Sequence, residues 1–484
     1  MSTRWLPVAA AVAVAAWGAN QFTALATVYR VRTDWSALSL AAMFSVYLVG
    51  LVPGLLLGRP AADRYGRRRV VRGALVLSAA ASAVLAVADE SAVFAARAAT
   101  GFAAGLVFLA GAAWLRELSG PSVPPAVSAR RAVCATGAGF SGGALVSGVL
   151  AEWLPGPMVL PALAHALGCL LVLWATRRLP DTGPAAAPGS AASTAPDTTA
   201  STAPDTTAST APDTTASTTP GTAPARGPGS GPAPSTGTAP SPCPGRGTGQ
   251  GPGHRAAVRH PRFRYVVLPA SPAVLGSATV AYVVLPPLVA DRVPGHAPLF
   301  GGLVAALTLA TGVLAQPFAE RLDDRGSARA TLTAMATVIA GLLVGALAAE
   351  RDSVALVLVA AVVLGTGYGL TLGAGLHEVE RLPRTPSGPS GPSGPSAASL
   401  YQSTTSSGFL TPLLLAGTAG HASYPALLTG MAAVGVLCLA VTAAHSRRHL
   451  PEPDLVAHLP RRTREDSCVA SATTPPRSRR PWAE

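Results

Sequence analysis

Twelve runs of roughly 20 predominantly apolar residues dominate this chain, and each is long enough to cross a bilayer core as a helix. Lipid offers backbone N–H and C=O groups no partners, so such runs must close their hydrogen bonds internally. The runs lie near 6–28, 37–57, 70–88, 92–114, 133–152 and 157–176, then near 264–289, 298–318, 328–349, 354–376, 398–418 and 424–444. Only 12% of the 484 residues are charged, about half the share usual in soluble domains. This implies an all-α integral membrane protein with twelve transmembrane helices in two six-helix bundles. The first run is too long for the apolar region of a cleavable signal, so it reads as the first span.

Between the two sets of six, the stretch 179–262 is Pro, Gly, Ser, Thr and Ala. Ala-Ser-Thr-Ala-Pro-Asp-Thr-Thr recurs there from Ala192, Ala200 and Ala208. A segment with nothing apolar to bury is expected to be a disordered linker. The expected organisation is therefore an N-terminal bundle over 1–178, the linker over 179–262, a C-terminal bundle over 263–446 and a disordered basic tail over 447–484. A second run of Pro, Ser and Gly within 386–395 lengthens the loop before the eleventh span.

The formal net charge is +13, and every basic residue is arginine. Basic residues collect in cytoplasmic loops of membrane proteins. With the N-terminus inside, Arg30, Arg32, Arg292 and Arg351 fall outside, Arg97 falls within a span, and the remaining arginines lie on the cytoplasmic side. The reading is a multi-pass protein of the cell (plasma or inner) membrane with both termini cytoplasmic. The charge is topological and calls for no nucleic acid.

The densest cluster is the loop after the second span, which contains Asp63-Arg64-Tyr65-Gly66-Arg67-Arg68. Together with the six-plus-six plan, it resembles the loop signature of the major facilitator superfamily of secondary transporters. The signature's leading glycine is displaced: Gly58 comes one residue early and Arg59 occupies the usual place. Asp63 at a helix end is placed to pair with arginines or with a neighbouring helix N-terminus. Gly66 suits the tight turn into the third span. Such a contact can latch two helices in one conformation and release them in another; alternatively, the arginines only set topology. After the eighth span, Asp323, Gly326 and Arg329 echo Asp63, Gly66 and Arg69 of the loop after the second, as expected of a carrier built from duplicated halves.

In the fourth span, Arg97, Gly101 and Gly105 resemble the second signature of the same superfamily. An arginine within a span is costly unless it faces a cavity or partner, although Arg97 is also near enough to the span end to snorkel. Gly101 and Gly105 suit close helix packing. Gly139, Gly143 and Gly148 in the fifth span resemble the glycine-rich signature of the drug–proton antiporter branch, with Ala144 where that signature has proline. A close-packed helix interface explains the same glycines.

Embedded carboxylates are scarce, which leaves few groups to carry a proton. Asp34 and His165, the latter in the sixth span, are the candidates left, and a neutral hydrogen-bonded core histidine is the other reading of His165. Asn20, Gln21, Tyr368, Tyr401 and Gln402 are candidate cavity residues. So apolar a cavity suits an amphipathic or hydrophobic small molecule; a strongly charged solute would find a partner only at Arg97. No nucleotide-binding loop, catalytic constellation, metal spacing or cofactor motif is present, so no enzyme, metal or cofactor is expected. The resemblance implies a monomeric carrier in the lipid bilayer that moves a small-molecule substrate by alternating access, with efflux in exchange for protons. A uniporter, a symporter, or a non-transporting sensor or scaffold are the alternatives.

Overall fold

The computed structural model describes residues 3–181, 259–324, 326–382 and 397–448. The repeats beginning at Ala192, the Pro-Ser-Gly run and the tail beyond Arg448 lie outside these residues. The described residues form helices joined by short turns. In order these are α1 (Leu6–Arg32), α2 (Ala37–Tyr65), α3 (Arg67–Leu85), α4 (Glu90–Ser119), α5 (Pro125–Trp153) and α6 (Leu160–Ala175). The second set is α7 (Phe263–Leu288), α8 (Ala297–Leu322), α9 (Arg329–Glu350), α10 (Val354–Glu380), α11 (397–418) and α12 (Tyr424–His445). Ten helices pass a strict length and hydropathy threshold for spans among the described residues. The other two are α3, which opens on three arginines, and α11, which is interrupted.

Several helices outrun the apolar runs that announce them. α2 continues through Pro60 and the charged residues to Tyr65, and α5 begins eight residues before its apolar run, at Pro125. Hydropathy marks the lipid-crossing part, whereas the backbone stays helical until a turn residue or cap ends it. α2 ends where Gly66 adopts φ 89°. α4 begins on Asp89, whose side chain accepts the Ala92 N–H. The hydrogen bond from Ser91 and then that N–H hold the Asp89 carboxyl below its usual range.

Helix contacts in the two halves correspond under a shift of six. α1 packs on α5, α2 on α4, and α3 on both α4 and α6. In the second half α7 packs on α11, α8 on α10, and α9 on both α10 and α12. The bundles meet through α5 against α8 and α2 against α11, which are themselves related by the same shift. α7 and α11 depart from regular α geometry. α7 contains π segments at Phe263–Val267 and Val280–Val284, and α11 contains a 3₁₀ turn at Ser407–Leu410. Both helices carry prolines, Pro269, Pro272, Pro286 and Pro287 in α7 and Pro412 in α11, which remove backbone donors from the ladder.

Candidate functional site

The residues singled out in the sequence fall into four places: the bundle interface, the interior of the N-terminal bundle, the interior of the C-terminal bundle, and the end of the molecule that bears both termini.

At the interface, Arg97 is buried to 1% exposure and does not reach an outer surface. Its Nη1 donates to the Ala19 carbonyl at 3.0 Å, its Nε to Met43 at 3.3 Å and its Nη2 to Phe44 at 3.5 Å. Phe22, Tyr47 and Phe44 present their rings at 5.0, 4.9 and 5.8 Å from the guanidinium carbon. Carbonyl oxygens and π faces thus supply the electron density that a carboxylate usually gives a buried cation. The same rings continue across to the other bundle. Phe44 lies 6.2 Å from Tyr282 of α7 and 5.5 Å from Phe409 of α11, and Tyr47 lies 5.4 Å from Phe409. Ser45 donates to the Phe409 carbonyl at 2.9 Å. Tyr282 sits in the π segment of α7 and Phe409 in the 3₁₀ turn of α11, so both irregular segments deliver an aromatic ring to this interface. The Tyr47 hydroxyl is buried without a hydrogen-bond partner among the described residues.

Arg97 reaches α2 because of glycine. A side chain at Gly101 would strike the Tyr47 backbone, and one at Gly105 would come within 2.6 Å of the Leu55 nitrogen. Gly139 performs the same service between α5 and α1, where an added Cβ would lie 2.6 Å from backbone carbons of Ala13; Gly143 faces Trp17. Gly148 lies across the bundle interface, against the Pro298 carbonyl and Gly302 of α8. Substituting Gly139→Ala is expected to destabilise the protein by roughly 1–3 kcal/mol, the usual scale of overpacking. Thermal unfolding in detergent measures this, and an unchanged midpoint would show that the helices part freely there.

Inside the N-terminal bundle, Gln21, Ser82 and His165 form a chain of hydrogen bonds. Gln21 Nε2 donates to Ser82 Oγ at 3.1 Å, and Ser82 Oγ lies 2.7 Å from His165 Nδ1. His165 Nε2 lies 3.0 Å from the Val14 carbonyl. A carbonyl only accepts, so Nε2 carries the proton and Nδ1 accepts from the serine hydroxyl. That is a neutral imidazole with both nitrogens satisfied, and a second proton on Nδ1 would oppose the Ser82 hydrogen. Gln21 Oε1 is buried without a hydrogen-bond partner among the described residues. Asn20 faces away from this cluster, with Nδ2 3.5 Å from the Phe140 carbonyl of α5.

Tyr368, Tyr401 and Gln402 belong to the C-terminal bundle. Tyr368 packs on Gly312 of α8. Tyr401 is buried and donates to the Thr371 carbonyl at 3.0 Å, which ties α11 to α10. The Gln402 carbonyl accepts from Thr405 and Ser406. The hydroxyls of α11 mostly bond their own helix, which withdraws them from any cavity.

At the end bearing the termini, Arg67 lies between two acids. Its Nη2 is 3.5 Å from Asp63, and its Nε is 3.0 Å from Glu117 at the end of α4. Asp63 also faces Arg59 at 3.9 Å. Arg64 is exposed beside Tyr65. Arg68 turns the other way: it donates to the Arg177 carbonyl, and Arg72 donates to Leu173 at 3.0 Å, so both cap the C-terminus of α6. The Arg68 N–H donates to Asp181, whose carboxylate sits against Gly66, and Trp114 donates to Pro180.

The second half repeats the acids but exchanges the cation. Asp323 and Glu378 occupy the ends of α8 and α10 as Asp63 and Glu117 occupy those of α2 and α4. Arg381, not Arg329, bridges them, at 2.6 Å from Asp323 and 3.3 Å from Glu378. Gly326 instead donates its N–H to Asp324, while Arg329 is exposed. Arg262 then completes a pair missed in the sequence. Its Nε and Nη2 meet the two Glu378 oxygens at 2.6 and 3.0 Å, and both side chains are buried. Its Nη1 reaches the carbonyls of Ser446 and Arg448 at 3.4 Å each. An arginine just before a span is the available signal, but such residues normally read as interfacial.

At the opposite end, Glu152 of α5 meets His296, the residue before α8, at 2.9 Å and accepts the Leu299 N–H at 3.4 Å. This contact clasps the two bundles on that side.

The sequence matches none of the curated proteins. Among solved structures it is similar to the nucleoside transporter NupG, with TM-score 0.60 at 12% identity over 92% of this chain and 99% of that one. A point variant of that transporter gives the same score over 91% and 98%. A D-xylose-proton symporter gives 0.55 at 12% identity over 90% and 96%. At such identity these likenesses speak for the fold. A profile of the Major Facilitator Superfamily, however, matches residues 8–383, most of the chain. The chain belongs to the Major Facilitator Superfamily, as a multi-pass secondary transporter.

Proposed function

We propose that this carrier moves a small amphipathic solute outward across the cell membrane by alternating access, in exchange for protons. The observation that supports the solute class is the interface itself: one buried guanidinium beside aromatic rings drawn from α1, α2, α7 and α11. Such a site can hold an apolar body against rings and one polar group near Arg97, but offers little to a highly charged solute. The end bearing the termini is taken as cytoplasmic on the arginine distribution. On that assignment, the Glu152–His296 contact closes the outside, and the solute would enter from the cytoplasm.

Asp63, Arg67 and Glu117, with their counterparts Asp323, Arg381 and Glu378, are the latches. Each ties the ends of neighbouring helices on the cytoplasmic side, where the halves must rearrange between inward- and outward-facing states. Uniport or symport of the same solute is the second reading, favoured by the neutral hydrogen-bonded state of His165.

The test is flux in proteoliposomes with and without a pH gradient, for wild type and Asp63→Asn. The Asp63 pair is half-exposed, so the substitution should hardly change stability, by about 1 kcal/mol at most. It is expected to slow transport severalfold through the conformational equilibrium. Wild-type flux in the variant would remove the latch, and flux indifferent to the gradient would remove proton exchange in favour of uniport.

A further inference from the structure

The ends of α9 and α12 that lie beside the termini enclose a groove of about 650 Å³. Its lining includes Arg329, Arg447 and Arg448, with Ser327, Asp324 and Leu332 between them. None of these three guanidiniums pairs with Glu378 or Asp323, although the Arg448 carbonyl accepts from Arg262, and all three side chains are exposed. Asp324 is the one acid in the lining, and its carboxylate is already engaged. It accepts from the Gly326 N–H at 3.0 Å and from Ser327 Oγ at 2.9 Å, which hold it below the usual carboxylate range. Asp324 therefore stays a carboxylate, and three guanidiniums against this one acid leave the groove net positive. The first turn of α9 also points N–H groups without intrahelical acceptors toward this end.

What lies beyond the groove indicates its occupant. On α12 the residues Ala433, Leu437, Ala440 and Ala444 are all exposed, at spacings of three and four that put them on one face. On α9, Ala336, Ala340, Leu343 and Leu347 form a similar exposed row. Two apolar tracks thus run along the bilayer-facing helices from a basic hollow at the membrane boundary. A soluble anion would use only the hollow. A phospholipid would use both parts.

We propose that this groove binds the phosphate headgroup of an anionic phospholipid from the leaflet on the side of the termini, with its acyl chains on the α9 and α12 tracks. Arg329 opens α9 and Arg447–Arg448 lie in the turn that follows α12, so a bound lipid bridges the two helices. The inference rests on the membrane-spanning fold and is independent of which solute is carried.

The full-length protein is purified and titrated with phosphatidylglycerol or with phosphatidylcholine of identical chains, with bound lipid counted by native mass spectrometry and stability read by thermal shift. Wild type is expected to retain phosphatidylglycerol preferentially and to be stabilised more by it. The triple substitution Arg329→Gln, Arg447→Gln, Arg448→Gln is expected to reduce that preference about tenfold or more, given roughly a fivefold gain per arginine near an anionic surface. A control triple of Arg116→Gln, Arg130→Gln and Arg178→Gln, at the same end of the other bundle, should keep it. Equal retention of both lipids by wild type, or equal loss in the control, would overturn the proposal. So would glycerol phosphate alone giving the full thermal shift, which would assign the hollow to a soluble anion. If the first triple leaves lipid preference unchanged but speeds proteolysis within 451–484, the groove holds the chain's own tail and the lipid site is refuted.

Discussion

Arg97→Gln is expected to lower transport by roughly 100-fold or more while the protein still inserts and remains folded. The guanidinium joins α4 to α1 and α2 through three carbonyls and lies against three rings. Hydrogen bonds to a charged group contribute about 1.5–3 kcal/mol each, so losing even one or two in the productive conformation gives a factor of this size. Arg97→Lys separates charge from geometry. An ammonium keeps the positive charge but lacks the planar fork that spans carbonyls on two helices. If charge alone matters, lysine restores most of the flux; if the fork matters, lysine transports as poorly as glutamine. Initial-rate flux at matched reconstitution density reads both outcomes, and full activity of the glutamine variant would make Arg97 a dispensable packing residue.

The second large effect is on stability. Glu378→Gln should destabilise the C-terminal bundle by about 3–5 kcal/mol, because Arg262 would remain buried without its counter-charge. Arg381 would lose one of its two acids as well. By contrast, the double substitution Arg262→Met with Glu378→Leu should recover much of the loss, since a buried ion pair and a packed apolar pair are often nearly equivalent. Thermal unfolding of the single and double variants makes the comparison. A single variant as stable as wild type would show that water reaches Arg262 and screens it. A double variant that is stable yet slow in transport would assign the pair to the conformational cycle.

Much of the architecture was legible without coordinates. Apolar runs announced the spans because bilayer thickness imposes a length, and the low-charge composition left no soluble alternative. The loop from Asp63 to Arg68 was recognisable as a unit because its residues are contiguous. Part of that unit proved to serve another purpose: Arg68 caps α6, while Arg67 alone bridges Asp63 and Glu117. By composition Arg262 is one more basic residue of the linker, yet it is among the most deeply buried side chains of the C-terminal bundle.

The number and order of the spans, the echo between the two halves and the turn glycine at position 66 are readable in local pattern and composition. Which side chain meets which emerges only once the helices pack. Arg262 pairs with Glu378 across 116 positions, Glu152 meets His296 across 144, and Arg97 finds rings and carbonyls where a carboxylate was the ordinary expectation. The physical reason is that helix formation in lipid is satisfied locally, within each span. Partner choice instead depends on crossing positions set by glycines such as Gly101 and Gly139, whose effect appears only when two helices are brought together.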